Sequence, residues 1–265
     1  MASKVAGEAM VVVVPGRVDR AFYKAFLRVA LDLAGASVTD LDSSRARSER
    51  EDFLRKQVSL SRWAARAATL RADYGHATLR IAILDAEGQV VDRAADILNF
   101  YSGFRKPPVY AMAVTEDAED RGFSSTLQSM YNALASRHDR QYDLGNLLEG
   151  GNTFRLYKAR RPPITLLIIA QGVPALNIAP RHAVEDYVLY VRSEELRKLR
   201  ERCKIGLRRA LHKKLMLLLM IAHSYTKVEA FIHHTLGDSA VEKLLTNCPE
   251  LAKLRDVALK ALKRM

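Results

Sequence analysis

Three groups of acidic residues in this chain have the types and spacing to do chemistry. Asp19 follows the turn Pro15-Gly16-Arg17-Val18. Glu116, Asp117, Glu119 and Asp120 fall within five residues of one another, and Glu185-Asp186 stand just beyond His182. Crowded carboxylates repel one another, so burying them without a counter-charge is costly. A divalent ion such as Mg²⁺ or Mn²⁺ takes hard oxygen ligands and relieves that repulsion. The chemistry to expect is therefore binding of such an ion. Each group also has a plainer use. The middle cluster reads equally as a solvated loop capping a helix that starts near Ser124. Glu185 and Asp186 suit the first turn of a helix through its dipole, and His182 suits a surface or capping position.

The elements that must position these acids are legible as hydrophobic patterns. Ala9–Val14 is a short β-branched run ended by Pro15-Gly16, which predicts a buried strand. Ala21, Phe22, Ala25, Phe26, Val29, Ala30 and Leu33 then recur at helical spacing, so a helix is predicted over Asp19–Ala34 with Asp19 as its N-cap. Thr39–Asp52 is polar and reads as a loop entering a second helix that runs to about Ala72. Ala77–Asp85 is predicted as a strand, Val91–Tyr101 as a helix, and Val109–Val114 as a strand running directly into the acidic cluster. A helix over Ser124–Ser136 and a Gly/Asn-rich loop over Asp139–Asn152 follow. Ile164–Ala170 is the most hydrophobic strand candidate, and from Ser193 onward the chain reads as helical, with breaks at Gly237-Asp238 and before Pro249. Alternating strands and helices predict an α/β fold, a mostly parallel sheet with helices on both faces. Ligands of such sheets gather at the C-terminal strand ends, where all three acidic groups fall. The expected division is residues 1–191 as the α/β domain and 192–265 as a helical C-terminal region packed on it.

The chain has 265 residues, 49% hydrophobic and 27% charged, with a net charge of +12. That composition excludes disordered and fibrous classes, and the charge favours an acidic partner, nucleic acid first and an anionic membrane second. Arg192–Lys214 carries ten Lys/Arg against three Glu, a stripe suited to backbone phosphate. A solvated helix face of Glu–Arg pairs is the plainer alternative. The two cysteines, Cys203 and Cys248, are far apart and form no CxxC, so a reducing cytoplasmic setting is expected. The longest apolar run, Leu215–Ala222, is too short to span a membrane, which takes about 20 residues, and reads as a core helix. The N-terminus, with Glu8 ahead of a short β-rich run, does not read as a signal peptide. Abundant Arg, Ala, Leu and Val beside one Trp would suit a thermophile.

The order of the motifs resembles the TOPRIM domain of topoisomerases, bacterial primases, OLD-type nucleases and small stand-alone proteins. That family opens on a glutamate-glycine turn followed by an aspartate and a phenylalanine; Gly16, Asp19 and Phe22 match it. Asp117-Ala118-Glu119 is similar to the family's Asp-x-Asp. Gly172-Val173-Pro174 and Glu185-Asp186-Tyr187-Val188-Leu189 resemble the "GLP" turn and "EDxL" helix start of its stand-alone branch, so the likeness spans Ala9 to Val191. One departure bears on activity. Pro15 stands where the family has its catalytic glutamate, and proline has neither a proton to move nor a ligand atom. Glu119 replaces the second aspartate.

The resemblance implies Mg²⁺ or Mn²⁺ at Asp117, Glu119 and Glu185 or Asp186. Asp19 and Lys213 would serve the chemistry, with Glu116 the substitute for the missing glutamate if its strand end lies close enough. Phosphate is expected at Gly16, Arg17, Arg208, Arg209 and Lys214. Two readings remain open: a metal-dependent phosphoryl-transfer enzyme acting on nucleic acid, and an inactive module that binds nucleic acid or a protein. A third, a phosphotransferase with its anion site at the Gly16 turn, lacks a GxxxxGK[ST] or GxGxxG motif.

Overall fold

Val11 to Val14 are wholly buried because their strand, β1 (Ala9–Val14), has a parallel neighbour on each side, β4 (Ala77–Asp85) and β5 (Val109–Asp117). A strand covered on both faces reads as continuously apolar, which is why this run was recognisable. Beyond β5 lies β8 (Thr165–Gln171), also parallel and buried throughout. The computed structural model describes residues 9–58, 60–174, 182–203 and 212–264. Four further strands flank the parallel centre: β2 (Ser37–Asp40), β3 (Ala67–Tyr74), β6 (Asn146–Gly150) and β7 (Phe154–Lys158). The sheet order is β2-β3-β4-β1-β5-β8-β7-β6. The three central pairings are parallel and the four outer ones antiparallel. The fold is α/β, and the sheet is more mixed than the sequence suggested.

Those flanking strands correct two expectations. Ala67–Tyr74 is not the end of a helix. It forms a hairpin with β4, paired residue by residue from Ala67 with Leu84 to Tyr74 with Ala77. Ladder bonds and a buried face outweigh the helical propensity of its Ala, Leu and Arg. The helical part of that stretch is short, α2 (Arg47–Asp52) and the turns after it. The loop expected over Asp139–Asn152 contains β6, an edge strand exposed along its whole length.

The helices α1 (Arg17–Asp32), α3 (Val90–Ser102) and α4 (Phe123–Ala135) lie near their predicted places. After them come α5 (Glu185–Val191), α6 (Ser193–Cys203), α7 (His212–Ala222), α8 (Val228–Thr235), α9 (Asp238–Asn247) and α10 (Pro249–Lys263). The breaks fall at Gly237-Asp238 and Pro249 as expected. Two details differ. Gly16, not Asp19, is the N-cap of α1, which turns Asp19 inward at the third helical position. In α7, Leu215, Met216, Leu219 and Met220 are buried but Leu217, Leu218 and Ile221 are exposed, so only one side of this helix is core. Among the described residues no helix is long and apolar enough to cross a membrane.

Side chains of β1 alternate between two apolar clusters. Met10, Val12 and Val14 join Phe22 and Phe26 of α1 and Leu251, Leu254 and Val257 of α10. Val11 and Val13 join Ala94 and Leu98 of α3 and Leu127 and Met130 of α4. α10 thus sits in the same cluster as α1 and reaches the strands that carry the acids.

Candidate functional site

The acids that meet do so because β5 extends past the apolar run and takes its acids into the sheet. Asp117 pairs with Gln171 of β8, and Glu116 with Ala170. Alternation then separates neighbours in sequence. Asp117 falls on the side of Ala111 and Ala113, which pack with α1, whereas Glu116 falls on the side of Met112 and Val114. From the other direction α1 lowers Asp19 onto the same strand ends. The Gln171 amide lies between them: its Nε2 donates to Oδ1 of Asp19 at 2.8 Å and to Oδ1 of Asp117 at 2.8 Å. Glu185, buried at the start of α5, adds a third carboxylate whose charge is felt by both aspartates.

Asp19 and Asp117, from distant parts of the chain, therefore converge on one amide at the C-terminal edge of the parallel strands, with the Glu185 charge close enough to be felt by both. Burial, then the Asp117 charge, pushes the Asp19 carboxyl up to about 8. Asp117 is raised to about 6 by burial and then by Glu185. Glu116 is raised to about 7 by burial and then by Asp117, with Arg121 pulling the other way. Acids held in this state are short of positive charge.

The remaining predicted residues are placed differently. Asp186 is fully buried, and its Oδ2 accepts the Val173 N–H at 3.1 Å and faces His182 Nδ1 at 2.8 Å, so it braces the turn after β8. Glu119 is exposed at a positive φ of 43°, its N–H donating to the His182 carbonyl at 2.9 Å. Lys213 and Lys214 are exposed at the start of α7 and make no hydrogen bond or ion pair with these acids. Arg17 is exposed beside Gly16 and forms an ion pair with Glu229. Arg208 and Arg209 lie outside the described residues. In the described part of the 192–214 stripe the cations are largely tied up locally, Arg192 with Glu195 and Arg197 with Glu194 and Glu201.

Sequence reasoning did not find Gln171, a neutral amide at the end of an apolar run. It also missed Glu250, which reads as an ordinary first-turn acid after Pro249. Glu250 is wholly buried; its two oxygens accept from Thr153 Oγ1 at 2.6 Å and from the Tyr187 hydroxyl at 2.9 Å. The Tyr187 hydroxyl in turn accepts the Gly172 N–H at 3.2 Å. Phe22 stacks on Tyr187 at 5.0 Å, which links α1 to the same network.

For a divalent cation, the donor chemistry fits. The acids supply hard oxygens, and Gln171 Oε1 is buried without a hydrogen-bond partner next to the amide nitrogen that binds both aspartates. The oxygens are not preassembled: among the described residues no three His, Cys, Asp or Glu side chains are gathered as a metal cage.

The turn over the site requires glycine. Gly172 has φ +129°, and a Cβ there would lie 2.5 Å from the His182 Cβ and 3.1 Å from Asp186 Oδ2. Gly172→Ala is expected to cost at least about 2 kcal/mol, from strain and displacement of His182. Chemical denaturation measures this, and a loss below about 0.5 kcal/mol would show that the turn is freely deformable.

Set against protein-family models, curated proteins and solved structures, the chain matches none of them.

Proposed function

We propose that this protein processes nucleic acid at a TOPRIM-like site, with Mg²⁺ or Mn²⁺ assisting phosphoryl transfer. The convergence of Asp19 and Asp117 on Gln171, within reach of the Glu185 charge, is the observation that carries this reading. Membership of the two apolar clusters supports helices on both faces of the sheet, as TOPRIM domains have them.

Asp117 and Glu185, with Gln171 Oε1 beside them and Glu119 at the rim, would hold the ion. Once bound, it neutralises charge on the phosphate. Asp19 takes the proton-carrying role left open by Pro15. Its Oδ1 is occupied by the Gln171 amide, and its Oδ2 points toward Gly16, where a Cβ would begin 3.4 Å away. A carboxyl with a pKa of about 8 is protonated at neutral pH. With water as the nucleophile, Asp19 Oδ2 would donate its proton to the leaving oxygen as that P–O bond breaks, a new P–O bond forms to the water oxygen, and the proton the water loses restores Asp19. Glu116 falls on the other side of β5 and is not this proton carrier. Pro15 favours a second reading, in which the same cleft binds nucleic acid without cleaving it.

Thermal melting with Mn²⁺ tests the metal half directly. At ten times its Kd the ion stabilises by about 1.4 kcal/mol, which should raise Tm by about 3–5 °C. Asp117→Asn with Glu185→Gln should erase the rise. Strand cleavage that needs Mn²⁺ and is lost in Asp19→Asn supports the enzyme; a Tm rise without cleavage supports the module. No Tm response would remove the metal from the proposal.

A further inference from the structure

A groove lies beside the acid cluster rather than over it, and its walls are basic. It encloses about 760 Å³ between α1, the Asp40–Arg50 segment and α8. Arg17, Arg20, Lys24 and Arg28 line it at spacings of three and four residues, a single stripe down α1. Arg47 and Arg50 face them from α2. At about 1.5 Å per residue the stripe is about 16 Å long. Phosphates of one strand of a duplex advance about 3.4 Å each, so it matches about five of them.

The groove is not uniformly positive, and the arrangement of its four acids matters. Asp42 is committed to the floor, where it accepts from Lys24 at 2.7 Å, Arg50 at 3.0 Å and Thr69 Oγ1 at 2.8 Å. Asp40 also pairs with Lys24, at 2.8 Å. These pairs fix the floor and take Lys24 and Arg50 out of play. Glu51 and Glu229 instead form surface pairs with Arg47 and Arg17, whose side chains are 80% and 72% exposed. Pairs of that kind are worth only about 0.2–1 kcal/mol, so a phosphate can replace the glutamate. Among the described residues Arg20 forms no ion pair, although its charge is felt by Glu229, and Arg28 meets the His233 ring at 3.0 Å. No aromatic ring other than His233 and no Asn or Gln lines the groove. It offers charge and the Ser43 and Ser44 hydroxyls, with little to stack on or to read a base edge.

We infer that this α1 groove is a binding track for the phosphodiester backbone of a nucleic-acid strand, recognised by its phosphates and not its sequence. Arg17 and Asp19 both lie in the first turn of α1, one on its outer side and the other turned inward, so a strand lying in the groove ends within one helical turn of the acid cluster. This placement differs from the 192–214 stripe, where Arg197 and Lys198 of α6 are paired within their own helix. The inference rests on the nucleic-acid half of the proposed function and adds where the strand lies.

Fluorescence anisotropy with a labelled single-stranded 20-mer tests it in the full-length protein. The comparison set is wild type, Arg20→Gln/Arg28→Gln and Arg20→Glu/Arg28→Glu, each checked for an unchanged melting profile. The Gln pair should weaken binding about tenfold and flatten the log Kd against log [salt] slope by about 1.4, near 0.7 per lost contact. The Glu pair should weaken binding further, and a scrambled oligonucleotide should bind like the original. If the folded Arg variants bind with unchanged Kd and slope, the groove is not the track, although the protein still binds nucleic acid. If wild type binds inorganic polyphosphate but no oligonucleotide, the groove takes free polyphosphate and the strand assignment is wrong. If wild type binds neither, both the track and the nucleic-acid half of the proposed function fall, while the Mn²⁺ melting response is judged on its own result.

Discussion

Between pH 5 and pH 9 the metal-free protein should lose stability, with Tm falling on the order of 10 °C. The cause is the acid cluster. Asp19, Glu116 and Asp117 are raised to about 8, 7 and 6, from ordinary values of 3.8, 4.5 and 3.8. An acid raised in the folded state binds its proton more tightly there than in the unfolded chain. Its contribution is complete below the unfolded value and is lost as pH rises through the folded value, so stability falls across this window. Each unit corresponds to about 1.4 kcal/mol. Within this window Asp19 alone sets a ceiling of about 4 kcal/mol, and because the three groups interact, their losses do not add. On the acid side, Asp42 and Glu229 are lowered, so their contributions disappear at still lower pH and close the stable range from below.

Asp19→Asn isolates the main contributor. Asparagine keeps an oxygen for the Gln171 Nε2–H and removes the ionisation. The variant should melt close to wild type at pH 5 and several degrees above it at pH 9. A wild-type Tm that is flat or rises over this range would mean that the cluster is ionised at no cost. That outcome would also remove Asp19 as a proton carrier. The stabilised variant should be the less active one, a trade expected where a strained group is kept for function.

How far the sequence foretold this site depends on what each residue signals on its own. β1, β5 and β8 were legible because strands buried on both faces leave uninterrupted Val, Ile and Leu. Their order placed the Gly16 turn, Asp117 and Glu185 at one edge before any coordinates. β3 was misread as a helix because Ala, Leu and Arg favour helices, and only its hairpin partner across Gly75 overrides that preference. The separation of Glu116 from Asp117 was within reach: extending β5 through both acids sends them to opposite faces by strand alternation alone. Ending the strand at Val114 concealed it. Gln171 carries no charge and sits among isoleucines, so nothing local marks an amide as the common partner of two acids 152 and 54 residues away. The α1 groove was hidden for another reason. Its arginines lie on the outer side of a helix whose inner side carries the familiar apolar pattern, while the denser 192–214 stripe drew attention elsewhere.

Glu250→Ala should destabilise the protein by about 3–5 kcal/mol, lowering Tm by about 10 °C or more. As a first-turn acid behind Pro249 it would be worth a few tenths of a kcal/mol through the helix dipole. Its surroundings make it far more important. The residue is 0% exposed, and its oxygens are the acceptors for Thr153, just before β7, and for Tyr187 in α5. Thr153 also accepts the Ala170 N–H through its carbonyl at 2.9 Å, and Tyr187 accepts the Gly172 N–H. One carboxyl therefore ties α10 to α5, to the entry of β7 and to the turn over the acid cluster. Alanine leaves two buried hydroxyls without acceptors and a cavity where the side chain was. Glu250→Gln keeps the volume and one acceptor and should cost only about 1 kcal/mol at pH 5. Burial raises the Glu250 carboxyl, so ionising it opposes folding, and the glutamine variant should recover relative to wild type as the pH climbs. An alanine variant within about 1 kcal/mol of wild type would show that water replaces the carboxyl and that the network holds nothing together. If the loss is as large as expected, the same variant should also blunt the Mn²⁺ melting response, because Gly172 and Tyr187 are the links between α10 and the end of β8.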